Sequence, residues 1–293
     1  MVIPNRVTVR VPASTANLGP GFDALGLALA LYDDVVVALA PSGLQVHIQG
    51  EGAGQVPTDE RHLVVRALRG ACARLGLRPG GLVLHCHNRI PHSRGLGSSS
   101  AAAVAGVLAG YALAGREPDE AALHLAAGFD GHADNAGASL LGGLVITWRE
   151  GGTFRATRLE PHSDVAPVLL VPDIRSSTAA TRGLLPTHLP HADAAFNVGR
   201  AALAVHALTV APQLLLAATE DRLHQPFRRS AYPATGRLVD ELRAAGVPAA
   251  VSGAGPTVLA LPALGELPAV VDTAGFSQYR LDVARRGARV ECG

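Results

Sequence analysis

The chain has 293 residues, 48% hydrophobic and 17% charged, with a net charge of +1. That length suits one large or two modest domains around a sizeable core, and the near-neutral balance excludes the basic field that nucleic acid demands. No apolar run reaches the ~20 residues of a bilayer span, no basic-then-apolar leader opens the chain, and Cys72, Cys86 and Cys292 form no zinc pattern or disulfide framework, so the expectation is a cytoplasmic protein with no nucleic-acid or membrane partner.

Arg6 to Val11 alternates and predicts a strand. Pro12 stops it, and Ala13 to Asp23, rich in Ser, Thr, Asn, Gly and Pro, predicts a loop. Asp34 to Leu39 and Val46 to Gln49 predict strands, with Asp33-Asp34 as a charged break before the first of them. Arg61 to Leu75 has helical apolar spacing and ends at Gly76 and Pro79. Leu82 to Cys86 predicts a strand, and Ala101 to Ala114 a helix. Asp119 to Phe129 predicts another helix, and Gly131 to Ser139 a polar loop or helix start. Leu144 to Trp148 and Phe154 to Leu159 predict a strand pair straddling the domain junction. Val168 to Val171 predicts a buried strand, followed by helical segments at Thr178 to Leu185, Asp193 to Leu208, Gln213 to Ala218 and Thr235 to Ala245. Val247 to Val251 and Thr257 to Leu261 predict strands, and Tyr279 to Val283 with Ala288 to Cys292 a closing strand pair. The alternation lacks a regular β-α-β rhythm, which predicts an α+β fold rather than a doubly wound sheet.

The segment from Pro91 to Ala101 carries the most chemistry. A Gly- and Ser-rich turn between a strand and a helix N-terminus traps anions. Gly95 and Gly97 let backbone approach a phosphate, the first helical N–H groups are unpaired, and the serines offer hydroxyls. It is not a Walker A loop. The chain has no lysine at all, so phosphate charge falls to arginine, backbone N–H groups and metal. Val11 to Asp23 places Asn17 and Asp23 on a glycine-shaped turn able to take a small zwitterion, or else to form a plain Asx turn. His132, Asp134 and Asn135 can meet a hydroxyl and a carboxylate from one side. Thr178 and Arg182 share one face of a helix start. The Ser252 to Thr257 glycine turn reads as an ordinary hairpin or as a loop closing a site.

The string from Pro91 to Ser99, P-x-x-x-G-L-G-S-S, resembles the ATP-binding signature of the GHMP kinases, with Ser100 where that signature usually has alanine. N-L-G-P-G-F-D at Asn17–Asp23 and G-H-x-D-N at Gly131–Asn135 resemble the homoserine-phosphorylating branch of that family. The motifs occur in family order from Val11 to Thr257. The resemblance implies the GHMP kinase two-domain fold: an N-terminal α+β phosphate-loop domain over 1–155 and a ferredoxin-like domain over 156–293. It implies ATP at Pro91, His92, Ser93, Arg94, Gly95, Leu96, Gly97, Ser98, Ser99, Ser100 and Ala101, closed over by Gly253 and Gly255. It implies Mg2+ at Ser99 and Asp130, the family having glutamate at the latter position. L-Homoserine would lie among Asn17, Asp23, His132, Asp134 and Asn135, its carboxylate on Arg182 and Arg228. Asp134, Thr178 and Arg182 would carry catalysis, with Asp134 the candidate base. A homodimer is the expected assembly. Two alternatives stay open: a GHMP kinase for a mevalonate-type acid or a sugar, and a nucleotide-binding regulator without turnover.

Overall fold

The computed structural model describes residues 4–176 and 181–293. The spine of the first sheet is β1 (Arg6–Asn17) against β2 (Gly21–Ala40). Val7, Val9 and Val11 alternate inward, as the sequence pattern requires. Both strands run further than expected, and the segment read as a loop from Ala13 to Asp23 is mostly ladder. Pro12 has no N–H to give, and a register shift between Pro12 and Ala13 absorbs it. The reversal is confined to 18–20, entered through Asn17, Leu18 and Gly19 at φ of 68°, 50° and 87°. Asp33 does not break β2, because its carboxylate turns inward and accepts the N–H groups of Arg89 and Ile90.

β3 (Gly43–Gly50), α1 (Leu63–Arg74) and β4 (Gly81–Asn88) follow, and β3 pairs with β4 in parallel across the helix. α2 (Ser98–Leu113), α3 (Glu120–Ala127) and α4 (Asp134–Leu141) cover the sheet, so the polar segment after Gly131 is a helix start. α2 is buried along nearly its whole length, which its Ala-rich sequence permits. β5 (Leu144–Glu150) lies beside β2, and β6 (Thr153–Leu159) beside β5.

The second sheet begins with β7 (Val168–Pro172), a run buried at every residue. After α5 (His191–Thr209) and two single-turn helices, α6 (Leu215–Ala218) and α7 (Gln225–Arg228), comes α8 (Pro233–Ala244). β8 (Ala249–Val251), β9 (Val258–Ala260) and β10 (Phe276–Arg280) complete an antiparallel sheet in the order β10–β7–β9–β8. Numbered within that sheet the order is fourth, first, third, second, the ferredoxin-like arrangement expected. Its second crossover is a 3-10 turn at Ala263–Gly265 with an irregular segment, not an α-helix. Val168 and Leu170 face Leu238 and Leu242 of α8, while Leu169 and Val171 join the main core with Ala204 and Leu208 of α5.

The expected closing strand pair does not form. β10 joins β7, whereas β11 (Arg289–Cys292) crosses back to pair with β1. The division expected after residue 155 falls inside β6, whose pairing with β5 extends to Leu159. Sheet pairing favours a division after Leu159, with the C-terminal strand returning to the first sheet.

Candidate active site

Three loops meet at the start of α2. Gly97 precedes the helix in the left-handed region (φ 69°), and a Cβ there would lie 2.0 Å from Ser14 Oγ. A Cβ on Gly95 (φ 80°) would lie 2.3 Å from the Ser252 carbonyl. The phosphate loop can therefore approach its neighbours only as glycine. Ser252 Oγ donates to Gly95 O at 2.6 Å, Ser14 N to Leu96 O at 3.1 Å, and Gly253 N to Ala16 O at 3.0 Å. The end of β1, the phosphate loop and the 252–257 turn form one stitched unit.

That unit walls a cavity of about 300 Å³. Ser93, Gly95, Leu96, Gly97, Ser98, Ser99 and Ser100 line it together with Asn17, Asp23, Asp130, His132, Asp134, Asn135, Arg182, Arg228 and Gly253. Five residues expected around the nucleotide are not on this wall. Pro91 and Ala101 are buried beside it. Arg94 turns its guanidinium to the carbonyls of Pro172 and Asp173, both at 2.9 Å, so it braces the loop. Gly255 packs behind Gly95. His92 lines an adjoining cavity. Thr178 lies outside the described residues.

At the phosphate end, Ser99 Oγ donates to Asp130 Oδ1 (2.9 Å) and Ser100 Oγ to Oδ2 (2.6 Å). Asp130 thus reaches the helix start despite its short side chain. Two hydroxyls and a carboxylate beside unpaired helix N–H groups are hard oxygen donors of the kind Mg2+ prefers. A second group, Asp23, His132 and Asp134, also brings ligand atoms within 4.8 Å of one another. Arg182 already occupies Asp23, and His132 occupies Asp134, so this group suits a metal less well.

At the other end Asp134, 1% exposed, accepts His132 Nδ1 at 2.7 Å and Asn135 N at 2.8 Å on one oxygen. Burial pushes the His132 pKa down, but the hydrogen bond to Asp134 and the charges of Asp134, Asp23 and Asp130 outweigh it and raise it overall. Asn135 Oδ1 accepts from Ser14. Asn17, read as a substrate amide, lines the cavity and also braces it: its Nδ2 donates to Gly253 O at 2.8 Å and its Oδ1 accepts from Asp23 N at 3.0 Å. Arg182 forks onto Asp23 through bonds of 2.7 and 2.9 Å. Arg228 is 2% exposed and holds Gly253 O at 3.2 Å. Both guanidinium carbons lie over the ring of Phe22, at 5.2 and 5.4 Å.

The family model described as GHMP kinases N terminal domain matches residues 62–143, and that described as GHMP kinases C terminal matches 201–273. A homoserine kinase of Streptomyces avermitilis is 55% identical over 97% of this chain and 95% of its own length. One from Rhodococcus erythropolis is 52% identical over 95% and 94%. The chain belongs to the homoserine kinases of the GHMP family. Among solved structures, homoserine kinase from Cytophaga hutchinsonii superposes with a TM-score of 0.84 at 24% identity, covering 99% of each chain. L. major mevalonate kinase superposes at 0.69 and 19% identity, covering 98% and 97%, and shares the fold.

Within this homoserine kinase family member, several residues at or near the site escaped sequence reasoning. Phe22 sits inside the Asn17–Asp23 string and His224 four residues before Arg228; what the sequence could not show is that Phe22 lies under both guanidinium groups and that His224 is buried against Arg228. The adjoining cavity, about 270 Å³, shares Ser93, Ser98 and Ser99 with the first and is lined by Val11, Asp33, His62, Asn88 and His92. His62 Nδ1 is buried there without a partner, and burial holds the pKa of both His62 and His92 below the ordinary range. Burial pushes Asp33 up to about 6, against the opposing N–H groups of Ile90 and Arg89. His92 and the shared serines belong to the Pro91–Ser99 string, but Val11, Asp33, His62 and Asn88 lie on separate elements with no shared motif, so no sequence spacing signals them.

Proposed function

We infer that this chain transfers the γ-phosphoryl group of ATP to the side-chain hydroxyl of L-homoserine, a step of threonine biosynthesis. The observation that carries the reading is a cavity with an anion-binding helix start at one end and a zwitterion-sized charge pair at the other, in a chain 55% identical to a homoserine kinase. ATP phosphates lie on the N–H groups of Ser98 to Ser100, within the field of α2. The base extends into the adjoining cavity, where His62 Nδ1 offers it a hydrogen bond. Asp130 and Ser99 hold Mg2+, which when bound neutralises phosphate charge.

The Asp23–Arg182 pair is a template for the amino acid. A zwitterion inserts by giving its ammonium to Asp23 and its carboxylate to Arg182 and Arg228, so each charge lost to the other is replaced. The side-chain hydroxyl then points to Asp134. As the new oxygen–phosphorus bond forms, the hydroxyl proton passes to Asp134 and ADP leaves. His132 beside it stabilises the carboxylate in orientation and charge. Thr178 is proposed near the transferred group. A cytoplasmic location and a homodimer belong to the same proposal.

The test is coupled ADP release. Activity requires both homoserine and Mg2+, with mevalonate and galactose giving only background. Asp130→Asn raises the Mg2+ concentration needed for half-maximal rate more than it raises homoserine KM. Equal ADP release with and without homoserine in pure protein overturns the function, and an unchanged Mg2+ dependence in Asp130→Asn removes Asp130 from the metal.

A further inference from the structure

His224 touches neither cavity wall, yet it is wholly buried and fully bonded. Its Nε2 lies 2.8 Å from the carbonyl of Gly19, which can only accept, so the ring proton sits on Nε2. Burial, reinforced by the Arg228 charge, outweighs Asp221 and keeps the imidazole neutral. The Nδ1 lone pair then faces Arg228, whose Nη1 donates to it at 3.1 Å. A proton on Nδ1 would set donor against donor. The Phe22 ring centroid lies 5.2 Å from that of the imidazole. Arg228 lines the substrate cavity, and its buried Nε has no partner.

We propose that His224 is a positioning residue for the substrate carboxylate. Anchored on Gly19 as the Nε2–H tautomer, it fixes Nη1 of Arg228 and leaves the remaining guanidinium donors for the carboxylate. An arginine held in one geometry spends less rotamer entropy when ligand arrives, so affinity rises without a new contact. Gly19 belongs to the turn that carries Phe22 and Asp23, so the same imidazole ties both ends of the zwitterion template together. This inference rests on the reading that Arg228 receives the carboxylate.

Two variants separate the ring nitrogens. His224→Gln keeps a donor near the Nε2 position and offers Arg228 no acceptor from Nδ1. His224→Asn keeps an acceptor near Nδ1. Homoserine is compared with 3-aminopropanol, which lacks only the carboxylate. In His224→Gln the preference for homoserine falls about tenfold through KM, the loss of one charge-assisted bond, while kcat and ATP KM stay within about twofold. His224→Asn restores most of that preference. Equal losses on both acceptors, or an Asn variant no better than Gln, overturn the proposal while leaving the function intact. No preference for homoserine in the unaltered enzyme sinks the Arg228 reading itself. Nitrogen NMR of the unaltered protein gives a result independent of variant folding. The Nε2–H tautomer near neutral pH, with Nδ1 shifting on homoserine but not on 3-aminopropanol, is expected, and an imidazolium or Nδ1–H form overturns the proposal.

Discussion

Arg182 and Arg228 look alike in the sequence and differ in the fold. Arg182 keeps 40% of its side chain exposed and is already neutralised by Asp23, whereas Arg228 is buried. Screening discounts the first more than the second. Arg228→Ala is therefore expected to raise homoserine KM about 10- to 100-fold, the range for a charged hydrogen bond, with a smaller effect for Arg182→Ala. The double variant is less than additive because one carboxylate is shared. Steady-state kinetics with ATP KM as control checks this, and a larger effect for Arg182→Ala reverses the assignment. Which residue types gather here was legible, because G-H-x-D-N and N-L-G-P-G-F-D keep them adjacent in the chain. That Asn17 also braces Gly253 was not, since its partner is 236 positions away. Asp33 shows the same limit: a charged break in sequence, a buried acceptor in space. Its raised pKa means the folded state binds the extra proton between pH 3.8 and about 6, so its favourable contribution is full below 3.8 and is lost as pH rises through 6. Asp33→Asn keeps an acceptor for Arg89 and Ile90 but cannot ionise. Relative to the unaltered protein, it should gain about 2 kcal/mol in urea unfolding between pH 4.5 and 7.5, and a pH-independent difference would show that Asp33 titrates normally.

Helices α1 and α2 pack at backbone range, and that closeness fixes where the phosphate loop ends. A Cβ on Gly106 would lie 2.4 Å from Val64 O and 2.7 Å from Ala67 Cβ, while a Cβ on Gly70 of α1 meets nothing within 4 Å. Alanine gains about 1 kcal/mol of helix propensity at either position. At Gly106 a backbone carbonyl must move, and overpacking costs about 1–3 kcal/mol. Gly70→Ala should raise Tm, and Gly106→Ala should lower it and raise ATP KM, because α2 shifts as a rod with Ser98 at its tip. A Gly106→Ala protein with unchanged Tm and ATP KM would mean the two helices separate freely. Both helices were legible from apolar spacing, since periodicity reports a buried face without needing its partner. The β1 ladder over Ala13 to Ala16 was not. The Ser, Thr, Asn and Gly residues of Ala13 to Asp23 carry loop propensity, and sheet pairing with Gly26 to Leu29 overrides it over Ala13 to Ala16.

Across the whole molecule, β1 joins two distant functions. One end pairs with β11 through Val7, Thr8, Val9 and Arg10, and the other ends at Ser14 to Asn17 in the active site. The expected hairpin near the C-terminus failed because strand propensity names a strand but not its partner. Both Tyr279–Val283 and Ala288–Cys292 are β-like and adjacent, yet each finds a better edge elsewhere. β11 is mostly exposed, so its contribution is chiefly backbone ladder and cover for β1. Deleting residues 289–293 leaves β1 as an open edge beside a buried apolar face, which costs about 2–5 kcal/mol at about 1 kcal/mol per lost hydrogen bond and invites strand-to-strand association. The expected outcome is a lower Tm and concentration-dependent aggregation. At 20 °C, however, kcat and homoserine KM should stay within about twofold, because Ser14, Asn17 and the phosphate loop are held by Asn135, Gly253 and Ser252 rather than by β11. Thermal unfolding, light scattering and kinetics on the same preparation decide it. Unchanged Tm would show that β11 merely rests on the sheet. Lost activity in a folded, monodisperse sample would show that strain runs the length of β1 into the site, and the stitched loops would then not be rigid by themselves.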